Sequence, residues 1–202
     1  MSRYPVPKHE GRIETRVSNS RFIATIARAS SVREAQDRIR AVRAEMPDAN
    51  HHVYAFRAGY GASVSEGLSD DGEPSGTAGP PTMAVLRGTD VGDVVLVITR
   101  YFGGTKLGTG GLVAAYTAAA QAVLAAMETE EKVSRVRLGV TIPYALYEPV
   151  RRLVVDGEGI VEREAFGEQV DLEMLLPEEA VGGFAAALAD LTAGRIHPER
   201  LD

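Results

Sequence analysis

The sequence has no cysteine and no tryptophan among its 202 residues. Without cysteine, the chain cannot carry a disulfide framework, a thiol nucleophile, an iron–sulfur cluster or a cysteine-liganded zinc ion. The first eight residues lack the apolar core of a signal peptide, and we expect no apolar run long enough to cross a bilayer. These absences predict a cytoplasmic protein with no membrane partner.

Hydrophobic residues make up 45% of the chain and charged residues 25%, which is ordinary for a globular protein. A chain of this length forms one large or two small domains. The net charge of -6 is unevenly divided: residues 1–60 hold 11 Lys and Arg against 6 Asp and Glu, whereas residues 61–202 hold 11 against 22. The basic first third suits contact with nucleic acid or another acidic partner.

A glycine-rich segment, residues 100–111, follows the apolar run Val94 to Ile98 and precedes small apolar residues at helical spacing. This pattern predicts a buried strand, a loop and a helix N-terminus, which together bind anions through backbone amides and the helix dipole. Arg100 and Lys106 would add positive charge. The glycines equally suit a tight turn and close packing of the helix on the sheet, without any ligand.

The two standard nucleotide-binding motifs are absent from this segment. Gly103 and Gly108 have the spacing of a P-loop, but Thr109 stands where the P-loop requires lysine. The dinucleotide-binding pattern fails because Val113 occupies the place of its third glycine. An anion site here would therefore be of another type.

An acidic, turn-rich loop, residues 69–81, precedes the glycine-rich segment. Asp70, Asp71 and Glu73 have the ligand chemistry of a magnesium site, although acidic residues with glycine and proline are also ordinary in surface turns. His51 and His52 are expected on opposite faces of a strand, so they cannot readily bind one metal ion together. We predict neither a metal ion nor a cofactor.

Residue periodicity predicts an α+β fold in two parts. Ser31 and Glu34 form a capping-box pattern ahead of a helix that Pro47 ends. The other predicted elements of the first part are strands 12–17 and 22–27 around a turn at 18–21, strand 52–57, a short helix from Thr77 or Gly79, and a helix that ends near Met127. A charged linker at 128–132 is expected to follow.

The second part has the order strand, helix, strand, strand, helix, at residues 133–142, 144–155, 159–166, 169–175 and 178–191. This order indicates a small open sheet with helices on one face, an arrangement of the ferredoxin type. We find no catalytic pattern in this part.

The helix that follows Ser31 carries a basic stripe. Its members are three or four residues apart and therefore share one face: Arg33, Gln36, Arg40 and Arg43. We predict that Arg33, Arg40 and Arg43, together with Arg21, contact nucleic acid. The alternative is a solvated helix face that is stabilised by the pairs Arg33–Asp37 and Glu34–Arg38.

Several ordered motifs between Ser20 and Tyr116 resemble the YigZ/IMPACT family. They are Ser20-Arg21-Phe22-Ile23, His51-x-x-Tyr54-Ala55, the block 70–79, the block 99–104, Leu107-Gly108, and Gly110-Gly111-Leu112-Val113-x-Ala115-Tyr116. Several motifs in a fixed order are more specific than one glycine-rich loop.

The resemblance implies a two-domain fold. Residues 1–128 would be similar to domain four of elongation factor G, a βα sandwich of the type found in ribosomal proteins. Residues 132–202 would be similar to the ferredoxin-like domain five of the same factor. The resemblance also implies a link with translation, because eukaryotic members of the family act in translational control.

We therefore predict a non-enzymatic regulatory protein that contacts the ribosome, structured RNA or a translation factor. The alternative is an enzyme that binds a phosphate-containing ligand or nucleotide in a cleft between the acidic loop and the glycine-rich segment. Its carboxylates would hold magnesium or act as bases. The residues assigned to this cleft are Asp70, Asp71, Glu73, Thr77, Arg100, Tyr101, Gly103, Gly104, Lys106, Gly108, Gly110 and Gly111.

Overall fold

The computed structural model describes residues 3–201 and divides into two compact units. One unit runs from Arg3 to Glu131, and the other begins at Lys132. Both units contain helices and strands, which confirms the predicted two-domain α+β class. Residues 1, 2 and 202, at the ends of the predicted domains, lie outside the described residues.

The first unit is built around an antiparallel five-stranded sheet. The five strands of this sheet are β2 (Gly11–Val17), β3 (Ser20–Arg28), β4 (His51–Ala58), β5 (Ser65–Ser69) and β6 (Val94–Tyr101). Two further strands, β1 (Arg3–Pro7) and β7 (Thr129–Val133), lie outside it. The helices of the first unit are α1 (Val32–Glu45), α2 (Gly79–Arg87) and α3 (Gly108–Ala126). The sheet order is β2-β3-β6-β4-β5, so β6 is central.

Helices cover both faces of this sheet. Val95 and Val97 of β6 pack in a core with α1, whereas Leu96 and Ile98 pack in a second core with α2 and α3. Successive residues of a strand point to opposite faces, so a strand between two cores must be apolar throughout. This requirement explains the continuous apolar run in the centre of β6.

The predicted hairpin and first helix are both present. Ser18 and Asn19 join β2 to β3 in a two-residue turn with φ values of 45° and 68°, as tight hairpin turns require. Ser31 caps α1 by accepting a hydrogen bond from the Glu34 amide at 3.2 Å. The Glu34 carboxylate accepts from the Ser30 amide at 2.8 Å, whereas the capping-box pattern uses the amide of the cap residue itself.

Helix α3 is the one helix within residues 3–201 that is long and apolar enough to cross a membrane by length and composition. The expectation that no apolar stretch reaches this length was therefore wrong. One side of the helix is buried in the core shared with the sheet, through Leu112, Ala115, Tyr116, Ala119, Ala120 and Val123. A helix that is buried against a sheet needs as many apolar residues as a helix that crosses a membrane, so composition does not distinguish the two.

The predicted charged linker at 128–132 was also wrong, because residues 129–133 form β7. This strand pairs with β1 in a separate two-stranded sheet. Ion pairs such as Lys8–Glu128 and Arg28–Glu130, at 3.5 and 2.9 Å, accompany this pairing. Charged residues on an exposed strand have no apolar period, so composition alone suggested a linker.

The second unit is an antiparallel sheet with two helices. Its elements are β8 (Arg135–Ile142), α4 (Tyr147–Asp156), β9 (Ile160–Phe166), β10 (Val170–Pro177), α5 (Val181–Thr192) and β11 (Glu199–Arg200). The strand order is β11-β8-β10-β9, and its core joins Leu138, Leu172 and Met174 to Val154 of α4 and Leu188 of α5. The short β11 completes the β-α-β-β-α-β order and was not predicted.

Candidate functional site

A buried ion pair joins the acidic loop to the end of β6. Arg100 Nη1 lies 2.6 Å from Glu73 Oε1, and the two side chains are only 6% and 3% exposed. Tyr116 of α3 donates its hydroxyl to the same oxygen at 2.7 Å. Because two charges removed from water need accompanying hydrogen bonds, this cluster ties the loop, the sheet and α3 together.

The cluster leaves two polar atoms without a hydrogen bond. Burial and the Glu73 carboxylate raise the pKa of Tyr116, which therefore stays protonated and donates to Oε1. Within residues 3–201 no donor reaches Glu73 Oε2 within hydrogen-bond distance; His51 Nε2 lies 3.8 Å away. The buried Nε of Arg100 likewise has no acceptor in the described part of the chain. Glu73 Oε2, which is not closed to solvent, can therefore accept one further hydrogen bond, whereas Arg100 Nε is buried.

The acidic loop and the glycine-rich segment line one cavity of about 390 Å³. Glu73 and Pro74 contribute from the acidic loop. The other side is formed by Arg100, Phe102, Lys106, Leu107, Gly108, Thr109 and Leu112. The structure thus brings Glu73, Arg100, Lys106 and Gly108 of the predicted cleft together at one site.

Asp70 organises the acidic loop and does not line this cavity. Its carboxylate accepts hydrogen bonds from the backbone amides of Gly76, Ala78 and Gly79 at 2.9, 3.0 and 2.8 Å. Partial burial opposes the charged form, but these three bonds outweigh it and lower the pKa of Asp70. The carboxylate therefore acts as an anchor for the residues that lead into α2.

We expect this anchor to fail in acid. A lowered folded-state pKa gives stability that is complete above the ordinary value of 3.8 and is lost as the pH falls through the folded value. Hydrogen exchange at the amides of Gly76, Ala78 and Gly79 should therefore lose protection as the pH falls below 3.8. In Asp70→Asn the same amides should be less protected at neutral pH, by roughly 1–3 kcal/mol, and acid should change them little. Equal protection in the two proteins at neutral pH would contradict the anchor.

Asp71 is bound by protein groups as well. Its Oδ1 lies 2.6 Å from Arg43 Nη2, and its Oδ2 accepts the backbone N–H of His52 at 2.6 Å. Within residues 3–201 no group of three or more His, Asp or Glu side chains is arranged to hold a metal ion. Asp70, Asp71 and Glu73 each face different protein donors, so the three carboxylates do not converge on one point.

His51 and His52 have separate structural roles. His51 Nδ1 lies 2.8 Å from the backbone oxygen of Asp71, on the side of the ion-pair cluster. His52 is buried, with Nδ1 3.2 Å from Thr99 Oγ1. Burial, with a smaller contribution from the charge of Arg43, lowers the pKa of His52, so this imidazole is neutral at neutral pH.

The remaining cleft residues do not line the cavity. Thr77 donates its hydroxyl to the backbone oxygen of Pro74 at 2.6 Å, inside the acidic loop. The Tyr101 ring lies 5.2 Å from the guanidinium carbon of Arg21. Gly103 and Gly104 belong to the loop before α3, and Gly110 and Gly111 to its first turn. These positions shape the loop and are not part of the cavity wall.

Gly103 is the tightest of these glycine positions. A Cβ atom there would lie 2.1 Å from the carbonyl carbon of Asn19 and 2.4 Å from the nitrogen of Ser20. The Gly103 amide also donates to Ser20 Oγ at 3.1 Å. Only glycine allows the loop to approach the β2–β3 hairpin this closely.

Most of the four arginines that were predicted to contact nucleic acid are paired within the protein. Arg40 pairs with Asp37, Arg43 with Asp71, and Arg21 with Glu14. Arg33 is exposed and has no ion-pair partner within residues 3–201. The expected Arg33–Asp37 pair is therefore replaced by an Arg40–Asp37 pair on the same helix.

Comparisons with known proteins match both units. Residues 18–124 match the sequence model of a protein family described as the Impact N-terminal domain. Residues 140–195 match the family model of a domain of unknown function, DUF1949. Over 197 residues, the chain is 35% identical to the IMPACT family member YigZ of Escherichia coli (strain K12), with 97% of each chain covered. The chain belongs to the IMPACT family.

Two further relatives of this IMPACT family chain span nearly its whole length. The IMPACT family member YvyE of Bacillus subtilis (strain 168) is 31% identical over 193 residues, covering 95% of this chain and 88% of YvyE. A solved structure described as a hypothetical protein is 34% identical, with a TM-score of 0.73 and coverage of 100% and 98%. This solved structure supports the fold, and neither description names a ligand.

Several residues in or beside the ion-pair cluster and the cavity of this IMPACT family chain were not assigned to a site from the sequence. Tyr116 and Leu112 lie at core positions of α3, and Phe102 and His51 lie in loops or at a strand end. One signal for Tyr116 was available, since a buried tyrosine hydroxyl needs a hydrogen-bond partner. Nothing in the sequence named that partner as Glu73, 43 positions away.

Proposed function

We propose that this protein is a non-enzymatic regulatory protein linked to translation, and that it contacts the ribosome, structured RNA or a translation factor in the cytoplasm. Its membership of the IMPACT family supports this proposal, because the resemblance extends to eukaryotic members that act in translational control. The observation that carries the contact with RNA is the outward face of α1, which exposes the guanidinium groups of Arg33 and Arg40.

Arg33 and Arg40 suit phosphate contacts better than the other two arginines. The Arg40 side chain is 66% exposed, and its partner Asp37 is exposed on the same helix. Such surface pairs contribute little stability, so a phosphate can compete for the guanidinium. Arg43 and Arg21 instead pair with Asp71 and Glu14 of other elements, and a phosphate would have to displace those contacts.

We expect the double variant Arg33→Glu with Arg40→Glu to co-sediment less with ribosomes at low salt. Each phosphate contact contributes about 0.7–0.9 to the slope of log affinity against log salt. The loss of two contacts should lower the slope by roughly 1.5 and weaken binding by about tenfold or more at low salt. Sedimentation across a salt series measures both quantities.

A matched control carries the same charge change on the second unit. Arg152→Glu with Arg163→Glu reverses two exposed charges there and should leave the slope unchanged. An equal loss of binding in the control would show that the effect comes from the change in net charge and not from the α1 face. Unchanged sedimentation of the α1 variant would contradict contact through this face, and the absence of any ribosome or RNA binding at low salt would contradict the proposed partner.

The second candidate function is that of an enzyme that binds a phosphate-containing ligand or nucleotide in the cavity. The observation that favours it is the shared cavity, which both the acidic loop and the glycine-rich segment line. Thermal-shift measurements with phosphosugars and nucleotides test this candidate. A stabilisation that Lys106→Ala removes supports it, and the absence of a shift with every phosphate compound contradicts it.

A further inference from the structure

We infer that the cavity between the acidic loop and the glycine-rich segment binds a nucleoside monophosphate group, either as a free nucleotide or as the phosphorylated end of an RNA strand. The inference rests on the second candidate function and names its ligand. Three kinds of group line the cavity: an aromatic ring, a buried carboxylate with an unbonded oxygen, and the N-terminal end of a helix.

The aromatic ring belongs to Phe102, which is 45% exposed. Its backbone amide donates to Asn50 Oδ1 at 2.7 Å, and the guanidinium carbon of Arg100 lies 5.6 Å from the ring centroid. A ring that is held at its backbone and still exposed offers a surface for a flat ligand. Bases of every kind stack on such rings, because every base has a π-face.

The carboxylate belongs to Glu73. Its side chain is 3% exposed, and Oε1 already accepts from Arg100 and Tyr116. Oε2 has no hydrogen-bond donor within residues 3–201, and it is not among the side-chain atoms that are fully closed to solvent, so it remains accessible. An ionised carboxylate only accepts, so a ligand here must donate. Ribose hydroxyls and base N–H groups are such donors.

The helix end is the first turn of α3. No side chain caps it, and Gly108 and Thr109 line the cavity. Lys106 also lines the cavity and has no ion-pair partner in the described part of the chain. Because Glu73 already neutralises Arg100, the positive charge open to a ligand lies at this end. A phosphate group matches free helix amides and an unpaired lysine.

The three groups together select the ligand class. Inorganic phosphate would leave the ring and the carboxylate oxygen unused, and a purely apolar ligand would leave the lysine and the helix end unused. The volume of about 390 Å³ is within the usual range for a small-molecule site. A larger groove of about 780 Å³ between α2 and α3 has no charged residue in its lining and suits no phosphate.

Isothermal titration of the full chain with AMP, adenosine and inorganic phosphate tests the inference. We expect AMP to bind about tenfold more tightly than either part alone. Lys106→Ala should weaken AMP about tenfold and leave adenosine unchanged, as the loss of one charge-assisted hydrogen bond predicts. Phe102→Leu should weaken AMP and adenosine about tenfold and leave phosphate unchanged. Arg33→Ala, on the far stripe of α1, is the control and should change nothing.

Short RNA oligonucleotides with a 5′-phosphate or a 5′-hydroxyl distinguish the two sources. Tighter binding of the 5′-phosphorylated RNA than of AMP, lost in Lys106→Ala, assigns the cavity to an RNA end. Equal or weaker binding of the RNA assigns it to the free nucleotide.

The experiment separates failure of the nucleotide inference from failure of the phosphate-binding candidate function. If AMP binds no better than inorganic phosphate, and both depend on Lys106, the nucleoside part is overturned while the phosphate cavity stands. If none of the phosphate compounds binds, both are overturned. Circular dichroism of Phe102→Leu confirms that a lost signal reflects the cavity and not unfolding.

Discussion

Replacement of Glu73 by alanine is expected to lower the free energy of unfolding of the first unit by about 3–5 kcal/mol, the usual cost of leaving one partner of a buried ion pair alone. The variant would leave the Arg100 guanidinium 6% exposed without a counter-ion and the Tyr116 hydroxyl without an acceptor. Hydrogen exchange at the amides of β6, which carries Arg100, measures the loss within the first unit.

Glu14→Ala is the matched control for this prediction. Glu14 also pairs with arginines, at 2.8 Å from both Arg16 and Arg21, but its surroundings are solvated. Its removal should change β6 exchange little, because water replaces an exposed partner. Joint replacement by Glu73→Gln and Arg100→Met should cost less than the sum of the two single changes. If Glu73→Ala cost no more than Glu14→Ala, the ion pair would not hold this site together.

The second large effect is expected at Gly103, with Gly110 as its counterpart. Gly103→Ala should destabilise the first unit by about 3 kcal/mol, because a Cβ atom there would meet the backbone of Asn19 and Ser20 at 2.1 to 2.4 Å. Backbone atoms of a tight hairpin turn cannot move aside as a flexible side chain would. The hairpin and the loop before α3 must separate to accept the added methyl group.

Gly110→Ala should have the opposite sign. A Cβ atom at Gly110 would meet no atom within 4 Å, and the residue lies in the first turn of α3. Alanine favours a helix over glycine by roughly 0.5–1 kcal/mol. Urea unfolding of both variants compares the two positions. Similar changes at Gly103 and Gly110 would contradict the close approach of loop and hairpin.

These glycines illustrate what could be predicted from the sequence of the candidate site. The sequence assigned Gly103 and Gly110 the same role, because both lie in one glycine-rich segment. The structure separates them: one allows contact with a hairpin more than 80 positions earlier in the chain, and the other only begins a helix. Contacts of this separation have no local signal in the sequence.

The acidic loop gave a similar result. Asp70, Asp71 and Glu73 were adjacent carboxylates that could share an ion. In the structure, Asp70 accepts three amides of its own loop, Asp71 pairs with α1 and β4, and Glu73 alone reaches the cavity. Their partners lie on different elements, so adjacency in sequence did not predict a common direction.

The sequence by itself determined the elements whose signals are local. The buried run of β6, the tight turn at Ser18 and Asn19, the cap at Ser31 and the apolar side of α3 follow from periodicity and turn chemistry within a few residues. Only the tertiary structure decided that Glu73, Arg100 and Tyr116 meet, that β1 pairs with β7, and that the glycine-rich segment and the acidic loop line one cavity. The reason is physical: such pairings depend on how sheets and helices pack across long stretches of chain, and no short pattern records them.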